Sequence, residues 1–522
     1  MKFPLFSKLL DASKMHEALA AEPLAELLGQ PEPFSLCDAT RIVIALGFIL
    51  LFAPLASPLF ADVATNYSYN YDYWNEQVVS PDPYHVSAYF VGDDFGVGNF
   101  RDPQGLFIKD NRIYICDSGN NRIVQLEVKP DGSYDLARII NSFWIGEEES
   151  AFNYPSDLFE TTEGELFICD TNNHRVVRLD KDANYIASII KPVDESFDAN
   201  VEFLPTKLIV DHAGRIFLQA RNVNKGLMEF DKNGVFVGFM GANKVWVNPV
   251  DYIWKLISTQ AQRARMDLFI PTEYNNLCLD NDGFIYVTNS SSWYIASIRR
   301  LNAMGQDILI RNGYEDPVGD LSFGNAGGVS GSSKFIDVAA LDNDSYACID
   351  RTRGRIFMYD FQGNLLYAFG GLGNYKGYFL LPVAIDKMGY SIFALDSRAA
   401  TLTRFDLTTY GLLINEALDE YKAGRYEVSA EKWEQVLKMN GNYDLAYIGI
   451  GRAALRQGDY VKAMEYYKLK RDDKGYGKAF QFYRKQWMEE NLWKILLVLA
   501  IAIIVPKLVK SILKFRKEVM EE

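Results

Sequence analysis

The stretch Ile115–Arg122, ICDSGNNR, returns at Ile168–Arg175 as ICDTNNHR. Each copy closes an apolar run with Asp and places Arg five residues later. The same frame recurs around Asp350, with Arg355 behind it, and more weakly at Asp396, Asn289 and Ala220, where the acid is gone. Six units therefore fill residues from about 100 to 407, at intervals of 46 to 69 residues. That period suits four-stranded propeller blades with loop insertions better than single strands or helical repeats.

Each unit has the same internal order. It opens with Phe and a nearby Pro, as at Phe100 and Pro103, Phe152 and Pro155, or Phe379 and Pro382. Proline fits a position where no ladder donor is needed. An apolar strand, a turn such as Asp211–Gly214 or Asp280–Gly283, and an alternating run such as Glu165–Asp170 follow. A third strand, a second turn (Asp231–Gly234, Asp360–Gly363) and a last strand ending near Phe-Gly complete the unit. The segment Val86–Phe100 has the character of such a last strand, yet it precedes the first full unit. It is expected to complete the blade supplied by the C-terminal end, so that six blades close without open edges.

These openings, turn glycines and Asp-x-x-x-x-Arg frames (Asp117/Arg122, Asp170/Arg175, Asp350/Arg355) resemble the NHL-repeat family over about three hundred residues. The resemblance implies a propeller. It does not select an activity, because NHL-like propellers include lyases, lactonase-like enzymes and plain binding modules.

From Leu412 the apolar period becomes helical, and Gly424 and Tyr426 return as Gly458 and Tyr460, a step of 34 residues. That is the tetratricopeptide (TPR) period. Ala417, Trp433 and Val436 align with Gly451, Tyr467 and Lys470 in the small/large pattern that lets paired helices approach. Two such units bury little core by themselves and are expected to lean on the propeller or on the helix that follows.

Two apolar segments bear on compartment. Residues 42–61 run without a charge, long enough to span hydrocarbon or to serve as a signal-peptide core. Residues 492–511 form a second span if Lys494 and Lys507 snorkel to the interface. Lys507, Lys510, Lys514, Arg516 and Lys517 follow it, marking the cytoplasmic side and offering contacts to anionic lipid. Everything between the segments is expected outside the cytoplasm. The balance of 68 acidic against 54 basic residues argues against nucleic acid as a partner. Five cysteines make no disulfide framework, and Cys116, Cys169 and Cys348 read as small buried hydrophobes.

The expected organisation is therefore mainly β. An N-terminal region (1–41) and the first apolar segment (42–61) precede an aromatic linker (62–83). A six-bladed propeller (84–409) with insertions at 243–268 and 311–334 leads into TPR-like repeats (410–475). A connecting helix (476–491), a transmembrane helix (492–511) and a tail (512–522) complete the chain.

No GxSxG, HExxH or phosphate-loop motif is present. Zinc would need converging histidines, but His85, His174 and His212 fall at unrelated blade positions. Calcium in the channel, as in lactonase-like propellers, has candidate ligands in Asp157, Asn275, Asn276 and Asp337, with Gln104 beside them. Lys207 and Val383 interrupt that ring. The Asp117, Asp170, Asp350 and Asp396 series reads as structural, each acid accepting local backbone hydrogen bonds and pairing with the following Arg. The Gly324–Ser333 stretch reads as a rim loop.

Candidate contact surfaces lie elsewhere. Trp246, Tyr252, Trp254, Arg263 and Arg265 of the first insertion combine the residue types that anchor protein interfaces. Tyr67, Tyr69, Tyr71, Tyr73 and Trp74 suit a membrane-interface belt or stacking on sugars. These features indicate a membrane-anchored extracellular scaffold without a cofactor, binding membrane and extracellular proteins or glycan. By resemblance, NHL-plus-TPR chains of this layout look like accessory proteins of Gram-positive bacterial surfaces associated with sugar uptake. The alternative is an extracellular lactonase or lyase using channel calcium.

Overall fold

The computed structural model describes residues 68–74, 76–197, 200–242, 258–259, 272–289, 296–313, 316–321 and 331–521. Six antiparallel sheets surround one axis. Blade 1 runs from Gly105 to Ile140, blade 2 from Pro155 to Ile189 and blade 3 from Pro205 to Met240. Blade 4 shows three strands among the described residues, between Tyr274 and Leu301, and blade 5 spans Phe335–Gly370. Blade 6 takes three strands from Pro382–Leu407 and its outermost strand from Tyr84–Val91, in the register Thr401↔Val91 to Leu407↔Tyr84. The expected N-terminal closing strand is thus in place.

The recurring Asp is a stitch between loop and strand. Asp170 ends the second strand of blade 2, where all five residues are buried. Its carboxylate accepts the Asn153 backbone N–H at 2.8 Å and the Arg175 Nε at 2.8 Å. Asp117 does the same with Arg101 N–H and Arg122 Nε, both at 2.7 Å. Asp350 accepts the Lys334 N–H at 2.7 Å, and Asp396 those of Leu380 and Leu381. A buried carboxylate is tolerable only when its lone pairs are met, which these loop amides and arginines accomplish. The turns behave as their composition requires: Gly214 and Gly363 hold φ of 80° and 86°, a region open to glycine at little cost. Cys116, Cys169 and Cys348 are buried and free.

The aromatic segment is not a linker. Tyr69–Tyr71 and Gln77–Val79 form a hairpin that adds to the outer edge of blade 5, where Tyr69 pairs with Ala368. Tyr69 is fully buried and donates its hydroxyl to Asp320 at 2.8 Å, and Tyr71 and Gln77 bond the same carboxylate. Arg355 lies over the Tyr69 ring at 4.8 Å. Tyr69 and Tyr71 therefore cannot serve as a sugar-stacking or membrane-interface surface. Tyr73 and Trp74 remain exposed, the latter under the Arg471 guanidinium. Tyr67 lies outside the described residues. Asp320 belongs to the 311–334 insertion and is buried, so this part of the insertion is clasped to the hairpin; residues 324–330 of the expected rim loop lie outside the described residues.

Four helices follow: α1 (Thr409–Lys422), α2 (Tyr426–Met439), α3 (Asp444–Gln457) and α4 (Tyr460–Leu469). The small/large pattern is realised directly. A Cβ at Gly449 would come within 2.4 Å of the Trp433 ring, and one at Gly451 within 3.0 Å of Tyr467. These helices share one apolar core with blades 5 and 6. Polar bonds fix the junction: Tyr443 Oη donates to the Leu366 carbonyl at 2.9 Å and Asn415 Nδ2 to Tyr367 Oη at 3.1 Å. The last helix, α5, is one uninterrupted element, Asp473–Glu521, with Pro506 inside it. The expected connecting helix, span and tail are thus parts of a single rod.

Replacing Asp170 by Ala leaves Arg175 and the Asn153 amide without their buried acceptor. Loss of one partner of such a pair costs roughly 3–5 kcal/mol, and chemical denaturation of the variant should show a drop of that order.

Candidate functional site

The first strand of a propeller blade has a neighbour on one side only, so its other edge presents N–H groups to the axis. Five of these strands begin with a register shift, between Pro155 and Asp157, Pro205 and Lys207, Tyr274 and Asn276, Phe335 and Asp337, and Pro382 and Ala384. The shift places Asp157, Lys207, Asn276, Asp337 and Ala384 at equivalent positions, opposite the second strand. Residues from the first strands of all six blades, Asp157 and Asp337 among them, line a central cavity of about 150 Å³.

The channel carboxylates are spent on backbone. Asp157 accepts the Leu208 N–H of the next blade at 2.9 Å. Asp337 accepts its neighbour Val338 at 2.7 Å and Ile385 of blade 6 at 2.8 Å. Asp386, one register along, reaches Lys387 at 2.8 Å and Ile108 of blade 1 at 2.6 Å. Each acid therefore ties one blade to the next through a donor that the ladder leaves unmet. Asn276 caps Leu277 at 2.8 Å, and Asn275 donates to the Phe335 carbonyl at 2.6 Å.

The cation among them is Lys207, whose ammonium lies 3.2 Å from the Gln104 carbonyl and 3.4 Å from Asp157. Burial pulls its pKa down, but the attraction of Asp157 and Asp337 outweighs this and holds it above the ordinary value. Burial pushes the Asp337 carboxyl up to about 8 despite Lys207 and two backbone donors, and half-buried Asp386 up to about 7. Asp157 is raised by burial as well.

This donor set does not fit calcium. The ion takes six to eight oxygens, whereas the oxygens of Asp337 and Asn276 already accept backbone N–H groups and a lysine ammonium sits among them. No group of three or more His, Cys, Asp or Glu placed to hold a metal occurs among the described residues. His85 lies on the closing strand, His174 in the turn after Asp170 and His212 in a hairpin turn, so they do not converge.

A second cavity, about 580 Å³, opens where the turns joining first and second strands gather. Phe107 and Phe159, with ring centroids 4.9 Å apart, give it an apolar wall. Glu160 beside them is buried, held by Arg112 at 2.7 Å and the Tyr114 hydroxyl at 2.8 Å. Helix α1 docks on the corresponding turns of blades 5 and 6, through Asn343 to Asn415 and Tyr390 to Asp419. Bowl and helices therefore share one end of the propeller. Sequence reading missed this bowl, although the apolar-then-acid run at Phe159–Glu160 was a signal.

Trp246, Tyr252, Trp254, Arg263 and Arg265 lie outside the described residues. Lys507, Lys510, Lys514, Arg516 and Lys517 are all exposed on the last turns of α5.

Asp337 has a folded pKa near 8 against an ordinary value near 4, so between those values the folded state holds more protons than the unfolded one. The contribution of Asp337 to stability then falls as pH rises from about 4 to about 8. Thermal denaturation should give a lower Tm at the upper end of that window than at the lower, and Asp337→Asn should flatten the dependence.

Residues 100–126 match the NHL repeat, and residues 414–475 a tetratricopeptide repeat. A stretch of 130 residues, 23% of this chain, is 33% identical to NHL repeat-containing protein 2 of Bos taurus, and it spans 17% of that relative's length. Among solved structures, a catalytically inactive virginiamycin B lyase from Staphylococcus aureus aligns at 13% identity, over 58% of this chain and 80% of the other, with a TM-score of 0.35. The calcium-binding protein regucalcin from Agrobacterium tumefaciens aligns at 11% identity, over 58% and 90%, with a TM-score of 0.33. The chain is a six-bladed β-propeller that carries an NHL repeat and continues into a TPR region.

Proposed function

We propose that this chain is a membrane-anchored interaction scaffold, with propeller and TPR region on the extracellular side and the C-terminus in the cytoplasm. Both repeat types point to protein–protein interaction, and here they form one body with a common core. The observation that carries the membrane reading is α5. Among the described residues it is the one helix long and apolar enough to cross a membrane, and its apolar window is unburied. It leaves the TPR core at Ala479, which is fully buried, and continues without a break into Leu492–Val509.

Lipid would cover the exposed Leu497, Ile501, Ile504 and Leu508, which water penalises. The cations that follow favour a cytoplasmic end, and their positions allow contact with anionic lipid. On this reading the bowl and TPR surface receive membrane or extracellular proteins, or a glycan, in the manner of an accessory protein of a Gram-positive bacterial surface. The lactonase or lyase alternative receives no support from the channel, whose oxygens serve backbone and Lys207.

Alkaline carbonate washing of membranes should leave the full chain in the pellet. A chain ending at residue 491 and lacking residues 1–61 should move to the soluble fraction with its thermal transition retained. Protease added to intact cells should cut the ectodomain and spare a tag placed after Glu522. Extraction of the full chain by carbonate, or loss of the tag, overturns the proposal.

A further inference from the structure

The bowl and helix α1 occupy the end of the propeller where first strands turn into second strands. At the other end first strands begin, and there blades 5 and 6 carry a continuous basic surface. The rows Phe335↔Asp350↔Arg355↔Gly370 and Pro382↔Asp396↔Thr401 mark that end by their register. Four segments lie just beyond them, at 331–334, 351–354, 371–381 and 397–400. Together they hold Lys334, Arg351, Arg353, Lys376 and Arg398 and no Asp or Glu, in a chain whose net charge is −14.

The four segments touch one another in order. The Arg351 N–H donates to the Lys334 carbonyl at 3.0 Å, and Arg353 Nη2 to that of Gly331 at 2.8 Å. A Cβ at Gly354 would meet the Gly371 oxygen at 2.7 Å and the Leu372 side chain at 3.0 Å. Asp396 accepts the N–H groups of Leu380 at 2.6 Å and Arg398 at 2.9 Å, which joins the third segment to the fourth. Arg353 is tied to Asp320 at 3.5 Å, whereas Lys334, Arg351, Lys376 and Arg398 are exposed.

Arg351 also departs from the blade pattern. In blades 1 and 2 the residue after the closing acid is buried, Ser118 or Thr171, and bonds the opening proline carbonyl of the next blade at 2.6 or 2.7 Å. Arg351 takes that place in blade 5, at the seam with blade 6. Apolar groups lie among the cations: Tyr375 is 75% exposed, Leu372 40% and Leu380 37%. Exposed acids at this end, such as Asp94 and Asp102, belong to the approach to blade 1.

We infer that this surface docks an acidic segment of a partner protein, in which carboxylates alternate with apolar side chains. Charge complementarity selects the occupant. Guanidinium forks such as those of Arg351 and Arg398 pair with carboxylates in two bonds at once. The acidic remainder of the chain repels such a segment and steers it to this end. Tyrosine beside arginine supplies anchors that a protein can cover, whereas a bare polyanion would use the cations alone. The surface faces away from the TPR helices, so a partner bound there leaves them and the bowl free. Nothing in the inference depends on α5 crossing a bilayer.

The docking is tested with the full chain in uncharged detergent micelles and a dye-labelled peptide that alternates Glu with Leu and Tyr. Anisotropy should show saturable binding, weaker by at least about tenfold when Gln replaces Glu in the peptide. Added salt should weaken it further. The variant Arg351→Glu/Arg398→Glu should lose a similar factor with its thermal transition unchanged. Lys181→Glu/Lys232→Glu, at the bowl end, should bind as the parent does. Tyr375→Ala/Leu380→Ala should weaken binding by at least about threefold. Equal binding of the Gln peptide, no saturable binding, or equal losses in the two charge-reversed variants overturns the inference. Inorganic polyphosphate that displaces the peptide, with Tyr375→Ala/Leu380→Ala binding the peptide unchanged, overturns it in favour of a plain polyanion. An unliganded dimer that Arg351→Glu/Arg398→Glu splits overturns it in favour of a second copy.

Discussion

The pairing of Tyr84–Val91 with Thr401–Leu407 decides more than blade count. A six-sheet ring with an open edge would present a row of unpaired amides, and here the N-terminal strand fills it. The same ladder brings both ends of the propeller to one point. The Thr408 N–H donates to the Pro83 carbonyl at 2.9 Å, and the Thr408 hydroxyl to that of Asp82 at 2.6 Å. Thr408 also caps α1, accepting the Gly411 N–H. Closure of the ring and the start of the helical region are therefore one structural event. A Cβ at Gly411 would stand 2.1 Å from the Pro83 oxygen, so the close approach itself demands glycine.

The channel shows what a propeller must do with edges that closure cannot cover. Antiparallel ladders satisfy the inner strands on one side only, and the residual N–H groups point to the axis. Asp157, Asp337 and Asp386 meet several of them, each reaching across to the following blade. The cost is carboxyl groups held in a buried place, which raises the Asp337 pKa toward 8. Lys207 offsets part of that cost. Each of these acids already accepts a backbone N–H of the following blade, so the channel carboxylates serve the joints between blades.

Much of this was legible from residues because it is local. The Asp117 and Asp170 frames announced both the period and their own role, since an acid before an Asn-rich turn has few other uses. The TPR step was visible in Gly424 and Gly458, and the small/large rule anticipated Gly451 against Tyr467. What escaped was non-local. Nothing near Tyr69 says that Asp320, 251 residues away, will receive its hydroxyl. An aromatic-rich, charge-poor segment reads equally well as a belt, a linker or an added strand. The inter-blade reach of Asp337 likewise depends on a register shift between Phe335 and Asp337, for which no residue type is diagnostic.

Continuity of α5 follows from the same non-local packing and changes what the molecule can transmit. Blades 5 and 6 and the TPR helices share one apolar core, reinforced by Tyr443, by Asn415 and by the Arg452–Asp360 pair at 3.5 Å. A junction with a shared core resists hinging far more than a linker does. The TPR helices lead in turn to the base of α5, where Arg471 covers Trp74 of the blade 5 hairpin. That hairpin is itself pinned through Tyr69 and Tyr71 to Asp320. The rod therefore leaves a base braced both by the shared apolar core and by the Tyr69–Val79 hairpin.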